Sequence, residues 1–312
     1  MNFSKDLIKL DPAKETEQII TKLKFDISHN LKKKGAVVGI SGGIDSSVVL
    51  GLCATALGSS RVLGLMLPEK DSSPDNFRYA RKLVKKFNVD YLIEDLTPAL
   101  YGFKSYQRRD EAIRNIFSEY NESYKVKIVL PQDLLDHGSL KVFHVTIISP
   151  EGEEKSARLP YEDFLQIVAA TNLKQRSRMS MLYYHAERLN YAVVGTANKN
   201  EYDLGFFVKY GDGGVDLQPI AHLFKSQVYQ IAKHLDVPVE IQQRTPTTDT
   251  YSAEQTQEEF YFRVPYAILD AIWYGWENGY PLSEIASAME LTEGQVQNVI
   301  NDIKLKTSNR AV

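Results

Sequence analysis

A doubly wound parallel α/β sheet is the fold this sequence predicts, and three observations predict it. Short apolar runs rich in β-branched residues recur, as at 36–40 and 62–67, and such runs suit strands buried on both faces. Strand and helix alternate through the first hundred residues, the pattern of a sheet built from crossover units. A glycine-rich turn follows the first strand directly and opens a helix, which is where such sheets bind phosphates.

The elements follow in order. Residues 12–34 place Ile19, Ile20, Leu23, Phe25, Ile27 and Leu31 on one broad face, predicting a first helix. Residues 36–40 form a buried parallel strand, with a helix over 45–56 directly after it. A second buried strand spans 62–67. Helix 72–87 is amphipathic, with Ser72 and Ser73 to cap it and Pro74 in its first turn. Residues 90–96 form a third strand. The middle breaks the alternation: 125–130 and 142–149 read as strands, Pro150-Glu151-Gly152 as a turn, and 155–159 as a strand pairing back. Residues 106–161 are thus a β-rich insertion within one domain spanning 1–312. Helix 172–189, strand 191–195, a glycine-rich loop at 205–214 and helix 226–235 restore the alternation, and a helical region closes the chain.

Composition narrows the function classes. The 312 residues are 43% hydrophobic and 25% charged, enough apolar side chain for a sizeable core. A formal net charge of −3 sets up no global attraction to nucleic acid or an anionic membrane. The single cysteine, Cys53, excludes an internal disulfide and a cysteine-cluster metal site. The six histidines, His222 and His234 among them, show no ligand spacing. Neither a signal peptide nor a run of ~18 uncharged apolar residues is visible, so a cytoplasmic protein is expected.

The strongest local signal is Gly39-Ile40-Ser41-Gly42-Gly43-Ile44-Asp45-Ser46-Ser47, at the passage from strand to helix. Glycines let a phosphate approach the backbone, whose N–H groups and helix N-terminus face the anion. Ser41, Ser46 and Ser47 add hydroxyl donors. Asp45 repels a bare phosphate, so its presence points to a bound Mg²⁺. The loop lacks the Gly-Lys-Ser/Thr ending of a Walker A motif. Ser-Gly-Gly-x-Asp-Ser resembles the pyrophosphate loop of the N-type ATP pyrophosphatases, a family that includes NAD synthetase, GMP synthetase, asparagine synthetase and tRNA-modifying enzymes. The resemblance implies the adenine nucleotide alpha hydrolase-like form of the fold and cleavage of ATP between its α- and β-phosphates.

A second cluster follows the later strand. Val193-Val194-Gly195-Thr196 is followed by Glu201, by Lys209-Tyr210-Gly211-Asp212-Gly213-Gly214 with Asp216, by Lys225, and by Pro246-Thr247-Thr248-Asp249. Ligands of open α/β sheets sit beyond the carboxyl ends of the strands. Asp45 and Glu201 both follow such ends and would hold Mg²⁺ between them on a polyphosphate. This run, with Arg176 and Arg178 upstream, resembles the ammonia-dependent NAD synthetases over about residues 15–100 and 172–275. Carried over residue by residue, the resemblance implies ATP contacts at Thr196, Lys225 and Thr247 beside Gly39, Ser41, Gly42, Gly43, Asp45 and Ser46. It implies metal contacts at Asp45 and Glu201, and deamido-NAD contacts at Arg176, Lys209 and Asp216.

The reaction so implied adenylates the carboxylate of deamido-NAD with ATP and then aminates it with ammonia to NAD. Asp212 is a candidate base. The chain would use free ammonia or receive it from a separate glutaminase, and it would act as a homodimer. The sequence departs from the resemblance at the insertion, at the aromatic stretch 258–265, and at Asn309-Arg310, where many members carry a basic pair. A ligase amidating another carboxylate is therefore the alternative. A more remote one is a DNA-binding helix-turn-helix at 282–300, but residues 253–303 hold nine acidic side chains against one basic, and a recognition helix needs cations. The 18 tyrosines, Tyr261 and Tyr266 among them, suit packing or an interface.

Overall fold

A computed structural model describes residues 2–130, 134–137, 142–248 and 250–309. Four parallel strands, β1 (Ala36–Gly39), β2 (Val62–Met66), β3 (Asp90–Ile93) and β7 (Ala192–Val194), pair in the order β3-β2-β1-β7. The helices of this α/β body are α1 (Pro12–Phe25), α2 (Ile44–Leu57), α3 (Pro74–Phe87), α4 (Thr97–Gly102) and α5 (Ser105–Arg114). After the short α6 (Leu134–His137) come α7 (Tyr161–Leu189), α8 (Lys199–Leu204), α9 (Lys225–His234) and α10 (Val239–Gln242). Three helices, α11 (Tyr266–Glu277), α12 (Leu282–Met289) and α13 (Glu293–Asn309), form the C-terminal region.

Alternation along β1 explains its uninterrupted apolar sequence. Ala36 and Val38 join a core with α1, α2, α3 and α9 on one face, whereas Val37 joins Leu100, Tyr106 and Ala186 on the other. Both faces are covered, so both sets of side chains must be apolar. The doubly wound parallel sheet expected from the sequence is present. The edge strand β3 differs: all four of its residues are exposed.

The insertion folds as an antiparallel sheet of β4 (Lys125–Val129), β5 (His144–Ile148) and β6 (Glu154–Arg158). Val126, Ile128, Val145 and Ile147 bury a separate core with Ile113 of α5 and Ile167 of α7. That core explains one departure from expectation. Helix α7 begins at Tyr161, not near 172, because Ile167 packs against the insertion and Pro160 supplies the turn ahead of the first residue. The first helix also ends sooner than 34: α1 stops at Phe25 and a wider π-turn, Asp26–Asn30, follows and keeps Ile27 in the core.

Helices α12 and α13, the pair with a helix-turn-helix pattern, turn Ile285, Met289, Val296, Val299, Ile300 and Ile303 into a common core with α11. Their apolar periodicity is thus accounted for by packing. Among the described residues no helix is long and apolar enough to cross a membrane.

Candidate active site

The strand order reverses between β1 and β7: the chain leaves β1 for β2 on one side, while β7 arrives on the other. A crevice opens at the carboxyl ends of strands at such a point. Here it is a cavity of about 520 Å³, and Gly39, Ser41, Gly43, Asp45, Ser46, Thr196, Glu201, Lys225 and Thr247 all line it. Asp45 and Lys225, 180 positions apart, therefore meet in one place.

The loop from β1 into α2 builds one wall. Gly42 stands behind that wall at φ +78°, and a Cβ there would meet the Asn76 carbonyl oxygen at 2.5 Å, so only glycine fits. The serine hydroxyls behave differently from the free donors expected. Ser46 and Ser47 donate to the Gly43 carbonyl at 3.0 and 2.8 Å, and Ser41 Oγ accepts from Gly43 N at 3.2 Å. They hold the loop in shape. Main-chain N–H groups of Ile44, Asp45 and Ser46, which precede the first intrahelical bond, from Ser47 N to Gly43 O, are donors open to an anion.

The facing wall begins at Asn198, which caps α8 in a reciprocal box. Its Oδ1 accepts from Glu201 N at 3.1 Å, and Glu201 Oε2 accepts from Asn198 N at 3.2 Å. The same side chain donates from Nδ2 to Asp45 Oδ1 at 2.9 Å. One asparagine thus ties the two carboxylates together. Lys225, in the first turn of α9 and only 1% exposed, completes the group with Nζ 2.5 Å from Asp45 Oδ2. A cation at the positive end of a helix is electrostatically misplaced, so its position reflects the carboxylates. Burial works against its charge, but Asp45 and Glu201 outweigh burial and hold its pKa above that of an ordinary lysine. Burial first, and the Asp45 charge second, push the Glu201 carboxyl up to about 8.

This cluster fits a hard divalent cation. It supplies carboxylate oxygens from two elements, and one lysine cannot neutralise both when they are ionised. Among the described residues no three His, Cys, Asp or Glu side chains are grouped to hold a metal, so a cation here would take further oxygens from polyphosphate or water.

Outside this group lie supports the sequence reading missed. Asp270 of α11, 1% exposed, accepts from Asn200 Nδ2 at 2.6 Å and from Ser226 N at 2.8 Å. Asn200 in turn accepts from Lys225 N at 2.9 Å. Gln257 donates to Glu201 Oε1 at 3.1 Å. A lone aspartate inside the apolar run Ala267-Ile268-Leu269-Asp270-Ala271-Ile272 was a readable sign of a buried polar contact.

Arg176, Lys209 and Asp216 are not on the cavity wall. Arg176 and Lys209 are exposed and joined by a 3.3 Å bond from Arg176 Nε to the Lys209 carbonyl. Asp216 accepts from Tyr183 OH at 3.1 Å and from Val193 N at 2.8 Å, bracing β7. Arg176 and Tyr183 are two turns apart on α7, so the three residues follow one side of that helix. Gly211 and Asp212 do reach the cavity. Asp249 and Arg310 lie outside the described residues, as does the side chain of Asn309.

The model of the NAD synthase family matches residues 15–131 and 141–311. The chain is 46% identical over 300 residues to the NH(3)-dependent NAD(+) synthetase of Mesorhizobium japonicum, covering 96% of this chain and 94% of the relative. It is 30% identical over 299 residues to the NH(3)-dependent NAD(+) synthetase of Methanocaldococcus jannaschii, covering 95% of each. Among solved structures, the NH3-dependent NAD synthetase of Campylobacter jejuni superposes with a TM-score of 0.62 at 22% identity, covering 97% of both chains, which speaks to the fold.

Proposed function

The chain belongs to the NAD synthase family, and from that premise we propose that it uses ATP to amidate deamido-NAD with ammonia, giving NAD, AMP and pyrophosphate. The observation that carries the proposal is the convergence of Asp45, Glu201 and Lys225 through Asn198, beside the phosphate-binding turn.

The nicotinate carboxylate attacks the α-phosphorus of ATP, the bond to the bridging oxygen breaks, and pyrophosphate leaves an acyl-adenylate. Ammonia attacks the acyl carbon, AMP departs on its phosphate oxygen, and nitrogen loses a proton. Main-chain N–H groups at the start of α2 and the Lys225 ammonium face the charge that collects on the departing pyrophosphate, and they are held in place beforehand. Thr196 and Thr247, both on the cavity wall, would offer hydroxyls to the nucleotide. Asp45 and Glu201 would hold Mg²⁺, whose charge, when bound, offsets that of the polyphosphate. Arg176, Lys209 and Asp216 would receive the dinucleotide along the outer rim, and Asp212, which lines the cavity, would take the proton.

Ammonia would arrive free or from a separate glutaminase, since Cys53 is buried and its thiol pushed up to about 12 by burial, unlike a nucleophile. Exposed Tyr91, Leu92 and Ile93 on β3, with Tyr101 and Phe103 beyond, support association of two copies. The reading also places the enzyme in the cytoplasm.

The test supplies ATP, Mg²⁺ and ammonium with deamido-NAD, nicotinate mononucleotide and other acids in parallel, and follows AMP and pyrophosphate. Deamido-NAD should be converted with the highest kcat/KM. Equal or better turnover of another acid would replace the substrate in this reading. Asp45→Ala should nearly abolish pyrophosphate release; wild-type turnover in that variant would refute the role given to Asp45.

A further inference from the structure

A second group of buried charges lies where the β2–α3 connection meets α5 and α7, with Lys174 on the wall of the same cavity. The Lys174 ammonium donates to Glu69 Oε1 at 3.0 Å and to Asp71 Oδ2 at 2.6 Å. Arg109 Nη1 lies 2.5 Å from the same Asp71 oxygen, and its Nε donates to Asp110 at 2.8 Å. Tyr106 OH donates to Glu69 Oε2 at 2.7 Å. Lys174 is 2% exposed, Glu69 0% and Asp71 5%. Buried ion pairs add little net stability over apolar packing, so cohesion alone does not account for the cluster.

The third donor of the ammonium points elsewhere, to the Thr250 carbonyl at 2.8 Å. Thr250 belongs to a tongue, described over 245–248 and 250–257, that walls the cavity with Thr245, Pro246, Thr247 and Thr248. Bonds from Thr248 N to Gln255 O (3.1 Å) and from Gln257 N to Pro246 O (3.0 Å) close its base. Its outer side lies along β4, through Ala253 N to Val126 O at 3.1 Å and Val126 N to Ser252 Oγ at 3.0 Å. Tyr251 is its anchor in the insertion core. Beyond the buried Tyr251 and Ala253, the tongue is placed by polar ties such as these and that from Gln255 Nε2 to the Ile128 carbonyl.

We propose that Lys174 is a positioning residue: its ammonium, oriented by Glu69 and Asp71, fixes the Thr250 carbonyl and so holds Thr247 against bound ATP. The inference rests on the reading of Thr247 as a nucleotide contact. An ammonium has three donors, and here all three are engaged in different directions, which leaves it no rotational freedom. Arg109 ties the same Asp71 to α5, whose Ile113 packs in the insertion core, so the insertion is joined to the nucleotide wall through α5. This gives the insertion a task in the reaction centre that it does not touch with its own charges.

Lys174→Met keeps the stem and removes the donors. The expected result is a rise of about tenfold in KM for ATP, with kcat and KM for the acid changed by less than about threefold. Amide exchange at Thr248 and Gln257 should accelerate by about tenfold while the Ser47 amide in α2 stays protected. Lys174→Arg should restore protection only in part, because a planar fork does not reproduce three tetrahedral donors. Thr247→Ala should raise KM for ATP without altering exchange. If Thr247→Ala leaves KM unchanged, the role of Thr247 fails while exchange in Lys174→Met still reports on the clamp. Unchanged exchange in Lys174→Met, or a loss confined to kcat or melting temperature, overturns the proposal. Should the single variant not fold, Lys174→Met with Glu69→Gln removes one charge of each sign and is read the same way.

Discussion

Glu201 accepts hydrogen bonds from Asn198 N and Gln257 while burial and the Asp45 charge disfavour its ionised form, putting its pKa at about 8. Below that value the carboxyl is mostly neutral, and a neutral carboxyl grips a cation poorly. The apparent affinity for Mg²⁺ should therefore strengthen as pH rises toward about 8 and level off above it. Each pH unit below the plateau should weaken it by up to about tenfold. Titrating ATP turnover with Mg²⁺ at several pH values measures this, and Glu201→Gln should flatten the profile. A profile that stays steep in the variant would place the proton elsewhere.

At the scale of elements, Asp270 joins three helices: it sits on α11, caps the α9 N-terminus through Ser226 N, and reaches α8 through Asn200. Burial raises its pKa to about 6, against the opposing effect of those hydrogen bonds. The folded value thus lies above the unfolded one, near 4. Between pH 4 and 6 the folded chain keeps a proton that the unfolded chain has released, so stability from this group is complete below about 4 and lost as pH rises to about 6. The stability of wild type minus that of Asp270→Asn should fall by about 3 kcal/mol across this window and stay level above it. Denaturant titrations at pH 4, 5, 6 and 7 give the difference, and a constant value would contradict the buried titration.

The same scale shows what could be read from the chain. The strands were legible because Val37, Val38, Leu63 and Leu65 are apolar on both faces of a covered sheet. The turn at Gly42 was legible because its backbone tolerates only glycine. The start of α7 was not, since Ile167 takes its partners from β4 and β5, which a local period does not reveal. Lys174 sits among Gln175, Arg176 and Arg178 and reads as a solvated cation. Only the return of the β2–α3 connection beside it makes it a buried one. Asn198 reads as a loop residue until Asp45 comes within its reach.

At the scale of the molecule, the open edge of the sheet is the unusual surface. β3 exposes Tyr91, Leu92 and Ile93, and an uncovered apolar edge strand invites pairing. If this face joins two copies, Ile93→Lys should weaken the dimer by at least about tenfold. Sedimentation velocity across a concentration series checks it, and an unchanged monomer–dimer midpoint would move the interface elsewhere.

The strand order also bears on how the chain is made. β1 pairs on one side with β2, which follows it closely, and on the other with β7, which begins at Ala192. While a ribosome is still synthesising the insertion, the apolar strand β1 has one flank unclaimed, and the carboxylate of Asp45 has not met the lysine 180 positions downstream. Nascent chains stalled before β7 emerges would therefore be sticky and catalytically silent, and would need a chaperone's shelter until the last parallel strand slots in.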